Sequence, residues 1–198
     1  VRYYRPLAFA VSLPHGFSNG FVFFMSSYTI RPATLRDAKA IATIHASTSE
    51  TIYRELVPAE FFKPQGADAR LTFWREAIEY GEPQVQVAVD ENNKVIGFVG
   101  YDRSRDEGTK PTVGEIWAIY VMPSHWDTGA GLALWDAARD GLQEEGCTQV
   151  TVWLPLGNER ALRFHELAGF KRELTSAKTV PLGGFRLEEI RLKRATLH

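Results

Sequence analysis

The stretch EIWAIYVMPSHWDTGAGLALWDAARDGL, residues 115–142, carries the two patterns that decide the fold. Its first part, EIWAIYVMP (115–123), is an apolar run rich in β-branched and aromatic residues, which is typical of a buried strand. Its last part, GLALWDAARDGL (131–142), has apolar residues at helical spacing. The loop between them contains Gly129 and Gly131. The stretch therefore predicts a strand, a glycine-bearing loop and a helix.

The glycine-bearing loop has two interpretations. A helix that follows such a loop exposes unpaired backbone N–H groups and the positive end of its dipole, and both suit a phosphate. Glycine also lets a ligand approach the main chain closely. The alternative is a structural turn in which Thr128 caps the helix. Leu134 stands at the third glycine position of the dinucleotide motif, and no Gly-Lys-Ser/Thr ending of a phosphate loop follows.

Strand and helix signals alternate along the chain from Met25 onward, without repeats or long linkers, and this predicts one α/β domain over residues 25–198. ENN (91–93) reads as an antiparallel hairpin turn between two strands. Residues 55–66 read as a connection because they contain two prolines and a glycine. Further strands are predicted at 28–33, 84–90, 94–101, 148–155, 170–174 and 184–194, and helices at 34–53, 67–80, 131–146 and 159–169.

Residues 1–24 differ in composition from the rest because they contain two arginines, no acidic residue and no periodic pattern. We interpret them as a translated leader or a disordered tail. A secretory signal is the alternative, since Arg2 and Arg5 precede the apolar LAFAVSL. That apolar run is very short, and Pro14 and Gly16 stand where a small-residue cleavage site would form.

Composition excludes several classes of function. The 198 residues carry a formal charge of −1, so no basic excess favours a nucleic-acid partner. No run approaches the roughly 18 apolar residues of a membrane span, so we expect no membrane partner. The single cysteine, Cys147, cannot form an internal disulfide and fits a reducing, cytoplasmic setting. The five histidines lack zinc-ligand spacing and no Gly-x-Ser-x-Gly occurs, so neither a metal nor hydrolase chemistry is expected.

Residues 114–142, together with VTVWLPLGNERALRFHELAGF (150–170), resemble the GNAT superfamily of acyl-CoA-dependent N-acyltransferases. The resemblance covers most of residues 27–194, including the order of the elements. It implies a mixed, mostly antiparallel central sheet flanked by helices in a single α/β domain. It also implies acetyl-CoA as co-substrate. The resemblance leaves open whether the chain forms a homodimer.

By this resemblance, the main chain at Tyr120 and Val121 binds the pantetheine arm of coenzyme A, and Asn158 reaches the same arm. Asn158 also reads as a helix cap. Phe164 lies on an apolar helical face that is core by its pattern, and it is assigned to the cofactor site as well. The loop N–H groups that would hold the pyrophosphate belong to Trp126, Asp127, Thr128, Gly129, Ala130, Gly131, Leu132 and Ala133.

Two loop residues depart from the family pattern Gln/Arg-x-x-Gly-x-Gly/Ala. Trp126 stands at its first position, and Asp127 replaces a frequent glycine. A carboxylate near a pyrophosphate would repel it by ~1 kcal/mol if exposed. Asp127 is therefore expected to point away from the pyrophosphate or to weaken coenzyme binding.

Two residues are catalytic candidates. Glu115 resembles the glutamate that accepts the ammonium proton in many family members, and the alternative is a strand-end salt bridge. His165 stands where the family commonly has a tyrosine that reprotonates the departing thiolate, and a histidine could supply that proton. The alternative for His165 is a histidine unrelated to chemistry. The N–H near Val121 is the expected donor to the thioester oxygen.

The reading with most support is an N-acetyltransferase that moves an acetyl group from acetyl-CoA to a primary amine of a small molecule or a protein N-terminus. Direct attack in a ternary complex is the expected mechanism. The alternatives are transfer of another acyl group, a non-catalytic acyl-CoA-binding module, and an interaction protein with a purely structural loop. Arg54, Lys63 and Arg186 are hypothetical partners for a carboxylate on the acceptor.

Overall fold

The computed structural model describes residues 28–60, 67–182 and 184–196, without the side chain of Ala69. The predicted leader or tail, residues 1–24, lies outside the described residues, as does Lys63. The described strands are β1 (Tyr28–Pro32), β2 (Gln84–Asp90), β3 (Val95–Arg103), β4 (Val113–Val121), β5 (Gln149–Pro155), β6 (Lys171–Arg172), β7 (Lys178–Leu182) and β8 (Phe185–Ala195). The described helices are α1 (Ala38–Leu56), α2 (Ala67–Tyr80), α3 (Ala130–Glu144) and α4 (Glu159–Leu167).

These elements form one sheet in the order β1-β2-β3-β4-β5-β8-β6, and β7 pairs with β8. All described pairings are antiparallel except that of β4 with β5. Side chains from α1 and α2 pack on one face of the sheet, and side chains from α3 and α4 pack on the other. The predicted mixed, mostly antiparallel α/β domain is confirmed.

The C-terminal region differs from its prediction. Two strands are predicted there, whereas the structure has three, because residues 178–182, between the predicted strands at 170–174 and 184–194, form β7. The pattern hides this strand because Pro181 lies inside it and its side chains show no apolar alternation. Proline is tolerated in a strand where its missing N–H faces no neighbour, and β7 pairs only with β8. Elsewhere α1 continues to Leu56, into the predicted connection.

A bulge in β4 changes which side chains face each helical layer. Tyr101 of β3 pairs with Ile116, but Gly100 pairs with Ala118, so Trp117 is the extra residue. Ile116 packs on the α3/α4 side, and after the bulge Tyr120 packs on the α1/α2 side. The bulge therefore sets which face each side chain at the end of β4 occupies.

The sheet opens beside this bulge. Parallel pairing of β4 and β5 runs from Val113 with Gln149 to Ile116 with Val152, and the register ends there. β4 continues to Val121 and β5 to Pro155. Residues 117–121 and 153–155 therefore form the two edges of an opening, which we call the β4–β5 cleft.

Candidate active site

The main chain of β4 presents unpaired groups to the β4–β5 cleft. The Met122 N–H, just after β4, donates to the carbonyl oxygen of Ile96 in β3 at 2.9 Å. Because alternate residues of a strand direct their N–H and C=O groups to opposite sides, Tyr120 directs its groups toward β3, whereas Ile119 and Val121 direct theirs toward the cleft. The Val121 position agrees with its predicted role. For Tyr120 the prediction is corrected, because its main chain belongs to the β3 ladder and Ile119 takes the cleft position.

The N-terminus of α3 lies beside this strand edge and has no side-chain cap. Gly129 is the N-cap residue, and the first intrahelical bond runs from the Ala133 N–H to the Gly129 carbonyl oxygen at 3.0 Å. The predicted alternative, Thr128 as the cap, is wrong because its hydroxyl donates to the His125 carbonyl oxygen at 2.8 Å instead. Within the described residues, the N–H groups of Ala130, Gly131 and Leu132 have no acceptor, so an anion can occupy this position.

The fold accounts for both loop glycines without any ligand. Gly129 has φ 89°, a left-handed conformation that side chains disfavour. A Cβ on Gly131 would lie 3.3 Å from Cε2 of Phe164, a half-buried α4 residue that therefore packs against the start of α3. The glycines are thus needed for the turn and for packing. The uncapped N–H groups, rather than the glycines, make the loop a candidate anion site.

Arg160 explains the two departures from the family loop. The Trp126 indole N–H donates to the Val121 carbonyl oxygen at 2.8 Å, and the Arg160 guanidinium lies 4.3 Å from the Trp126 ring centroid. Arg160 also pairs with Asp127 at 3.3 Å, so the Asp127 carboxylate, whose side chain is 84% exposed, has a cation beside it. The sequence did not predict a role for Arg160, because only folding brings the first turn of α4 to this loop.

A pocket of ≈ 420 Å³ adjoins the loop. Asn158 is one of its lining residues and also caps α4, because its Oδ1 accepts the Ala161 N–H at 3.2 Å. Both predicted roles of Asn158 are therefore compatible, since the cap leaves its NH₂ group available. The pocket is lined by the last two turns of α1, by Trp126 and by the residues at the start of α4: Thr51, Ile52, Glu55, Leu56, Gly157, Asn158, Glu159 and Arg160.

Glu115 lies one residue before the last β4–β5 pair and is 2% exposed. Its Oε2 accepts the Arg105 main-chain N–H at 2.9 Å, and its Oε1 accepts the Arg105 Nε–H at 3.2 Å and an Nη–H. The Arg105 guanidinium also covers the Trp117 ring at 4.0 Å. The salt-bridge alternative thus describes this structure, and Arg105 must move before Glu115 can take a proton. The sequence did not predict Arg105 as the partner of Glu115.

His165 lies in the core. It is 2% exposed, its Nδ1 lies 2.8 Å from the Ala161 carbonyl oxygen, and Phe164 and Phe170 pack against its ring. Burial lowers the pKa of His165 to about 4, so the ring is neutral near pH 7. A neutral ring whose only N–H is bound to a carbonyl has no proton to give a thiolate. This placement argues against the predicted acid role.

The remaining predictions concern Cys147, a metal site and a membrane span. Cys147 is buried just before β5, and burial raises the pKa of its thiol. Within the described ranges, no group of three or more histidine, cysteine or acidic side chains could hold a metal ion. Over those same ranges, no helix has the length and apolar character to cross a membrane.

Comparison with known proteins identifies the family. The model of the GNAT acetyltransferase family matches residues 49–170. The uncharacterized N-acetyltransferase YuaI of Bacillus subtilis is 29% identical over 83% of this chain and 91% of its own. The mycothiol acetyltransferase of Kocuria rhizophila is 29% identical over 50% of this chain, which spans only 33% of that protein. In fold, the chain resembles a phosphinothricin acetyltransferase from Sinorhizobium meliloti in complex with AcCoA, with TM-score 0.60 and 21% identity over 85% of this chain and 88% of that one.

The matched residues contain the β4–β5 cleft, the uncapped start of α3 and α4, so sequence and geometry converge on the same part of the chain. The relatives are acetyltransferases, and the predicted enzyme class, an acyltransferase, is confirmed. This chain belongs to the GNAT family of acetyltransferases.

Proposed function

We propose that this chain transfers the acetyl group of acetyl-CoA to a primary amine by direct attack within a ternary complex. The uncapped N-terminus of α3 beside the open edge of β4 carries this proposal. Three N–H groups that have no acceptor among the described residues, and the positive end of a helix dipole, favour a pyrophosphate. Because Arg160 adds a cation beside them, the residues present fit the coenzyme.

The chain's own groups then have distinct roles. The N–H groups of Ala130, Gly131 and Leu132 bind the pyrophosphate, and Ile119 and Val121 orient the pantetheine arm. The Val121 carbonyl is already occupied by Trp126, so the Val121 N–H is the group left to bind an oxygen in the cleft. When bound, the coenzyme supplies an activated acetyl thioester. The Val121 N–H stabilises the charge that develops on the thioester oxygen.

The amine proton goes to Glu115 in this proposal. The acceptor nitrogen forms the new C–N bond as the C–S bond breaks, and the released ammonium-type proton passes to the Glu115 carboxylate, directly or through water. The side chain of Arg105 is 53% exposed, so it can leave Glu115 when an acceptor enters. The thiolate takes its proton from water, because the His165 ring is buried and neutral.

The position of the one cysteine also supports direct attack. An acyl-cysteine route needs an accessible thiolate next to the cleft. Cys147 is buried at the start of β5, whereas the cleft lies at the end of β5. Its raised pKa further disfavours the thiolate.

The test is thiol release from acetyl-CoA over a panel of primary amines, with the acetylated product identified by mass spectrometry. Initial rates at varied concentrations of both substrates should give intersecting lines. Parallel lines would contradict the ternary complex. Binding of acetyl-CoA by calorimetry with no thiol release for any amine would instead support a non-catalytic acyl-CoA-binding module.

A further inference from the structure

Some buried polar side-chain atoms of α1, α2 and β4 lack hydrogen-bond partners within the described residues. Four buried side-chain nitrogen or oxygen atoms in the described part of the chain lack a hydrogen bond, and three of them are Thr48 Oγ1, Arg70 Nε and Trp117 Nε1. These three residues lie on α1, α2 and β4 respectively. An unpaired buried polar group is unfavourable unless a ligand satisfies it, so the partnerless Nε of Arg70 is a candidate ligand contact.

Arg70 is the charged member of this region. It makes no ion pair or hydrogen bond with any other residue that the structure describes. Burial lowers the pKa of its guanidinium, and Tyr53, Tyr120 and His45 lie close enough to interact with its charge. A half-buried cation without a carboxylate partner has an unfilled preference for an oxyanion.

The groups around Arg70 are also donors. Burial raises the pKa of Tyr53, so its hydroxyl keeps its proton at neutral pH. The Trp74 indole N–H donates to Nδ1 of His45 at 3.0 Å, and because an indole only donates, His45 carries its own proton on Nε2. The His45 ring in turn packs on the Tyr120 ring, with centroids 4.7 Å apart. We call Tyr53, Arg70 and Tyr120 the donor cluster.

The donor cluster faces the cleft from the side opposite the coenzyme loop. The Tyr120 side chain packs on the α1/α2 face, while the main chains of its neighbours, Ile119 and Val121, face the cleft. The coenzyme loop packs on the other face through Gly131 and Phe164. A molecule held at the donor cluster would therefore approach the cleft from the face that the coenzyme leaves free.

The donor cluster also has an acidic neighbour, Glu189. Glu189 pairs with Pro155, the last residue of β5, and its charge acts on Tyr53, as the Arg70 charge does. Glu189 makes no ion pair with any described residue. Arg70 and Glu189 thus bring a cation and an anion near the Tyr53 hydroxyl. These two charges are complementary to a molecule that carries both a carboxylate and an ammonium group.

We propose that the acceptor is a free amino acid, whose carboxylate binds the donor cluster and whose ammonium group is drawn toward the cleft by Glu189. This inference rests on the proposed function and names its substrate class. It favours a free amino acid over a protein N-terminus, where an amide replaces the carboxylate. The carboxylate partners expected from the sequence are different residues: Arg54 is exposed and paired with Glu50, Arg186 is exposed, and Lys63, which lies outside the described residues, stays a prediction.

The first test compares free amino acids with their carboxamides, which keep the amine and lose the carboxylate. Thiol release should show kcat/KM at least tenfold lower for the amide, mainly through KM. Arg70→Gln should raise KM for the amino acid at least tenfold and change KM for the amide less than twofold. If Arg70 had only a structural role, the substitution would raise KM for both substrates alike. Arg54→Gln, a loss of an exposed arginine on α1, is the control and should change neither KM.

Direct binding separates this inference from the proposed function. Calorimetry with coenzyme A present should show binding of the amino acid but not of its amide, with loss of binding in Arg70→Gln and weakening in Tyr53→Phe. Equal binding or turnover of amino acid and amide by the parent protein would overturn the inference and leave acetyl transfer intact. Selective amino-acid binding without any thiol release would overturn the proposed function and leave the inference. If Arg70→Gln fails to fold, the inference is tested by amino-acid binding to Tyr53→Phe and by the parent protein's preference for the amino acid over its amide.

Discussion

The two faces of the β4–β5 cleft offer candidate ligand contacts of different kinds. On the α3 face, backbone N–H groups at an uncapped helix end form the candidate anion site, and Gly129 allows the turn. On the α1/α2 face, the donor groups are the side chains of Tyr53, Arg70 and Tyr120, contributed by three separate elements. The candidate main-chain site follows a glycine turn that is visible in the local sequence. A side-chain site assembled from distant elements leaves no such pattern, and the predictions below test this contrast.

The largest effect is expected at Glu115, the proposed proton acceptor. Glu115→Gln should lower the acetyl-transfer rate ~10²-fold near neutral pH with acetyl-CoA affinity unchanged, because the amide cannot accept the amine proton. The rate should recover partly at high pH, where more amine is unprotonated. Steady-state kinetics over a range of pH and calorimetry measure both quantities.

Arg105→Gln is the matched variant, because it removes the same ion pair and keeps the carboxylate. It should retain most of the activity. If both substitutions lowered the rate and the unfolding free energy equally, Glu115 would serve only as the partner of Arg105.

The α3 face is tested by Gly129→Ala. A Cβ at φ 89° strains the turn by about 1–2 kcal/mol and displaces the N–H groups that follow, so the Kd for acetyl-CoA should rise at least tenfold. Gly146→Ala is the control, since Gly146 has φ 81°, open space around its Cβ position and a place at the far end of α3. Calorimetry and urea unfolding should show similar stability losses but unchanged affinity in the control. Equal affinities in both variants would show that the loop is only a turn.

Arg160→Gln should have a smaller effect on the same face. It leaves the Asp127 carboxylate without its cation beside the bound pyrophosphate, so the Kd for acetyl-CoA should rise ~5-fold at low salt and less at high salt. Adding Asp127→Asn should restore part of the affinity. Should the double variant bind no better than Arg160→Gln, Asp127 does not act on the coenzyme.

The smallest effect on turnover is expected at His165. His165→Phe should keep the rate and the alkaline limb of the pH profile within about twofold, because the buried ring donates no proton to the cleft. A large loss of rate, with the alkaline limb shifted, would restore the acid role predicted from the sequence.

His165 should instead affect stability at acid pH. Its folded pKa of about 4 lies below the ordinary value of 6.5, so the unfolded chain binds the proton first. Stability is therefore unaffected by this group above pH 6.5 and falls as the pH decreases from 6.5 toward 4. Between pH 7 and pH 5 the loss is about 2 kcal/mol per buried histidine, and His45, with a pKa of about 3, adds a similar contribution. Urea unfolding should show a smaller pH dependence in His165→Phe than in the parent.

The sequence by itself determined the order of most elements and the position of the glycine-bearing loop before α3. Helix α2 and strand β2 have the predicted bounds, 67–80 and 84–90, because an amphipathic period and strict alternation are local properties of the chain. The strand–loop–helix unit around Gly129 was visible for the same reason. Missing from the prediction was β7, which among the described strands pairs with β8 alone and whose side chains carry no apolar alternation.

Only the tertiary structure decided the chemistry of the site. The bulge at Trp117 sets which β4 residues face the cleft, and a register between strands cannot be read from one strand alone. The pairing of Glu115 with Arg105 and of Asp127 with Arg160 joins residues 10 and 33 positions apart. His165 occupies the position of a family tyrosine, yet its burial removes the proton that the role requires. Whether a side chain donates a proton, binds an anion or packs depends on its desolvation and partners, which arise only when distant segments come together.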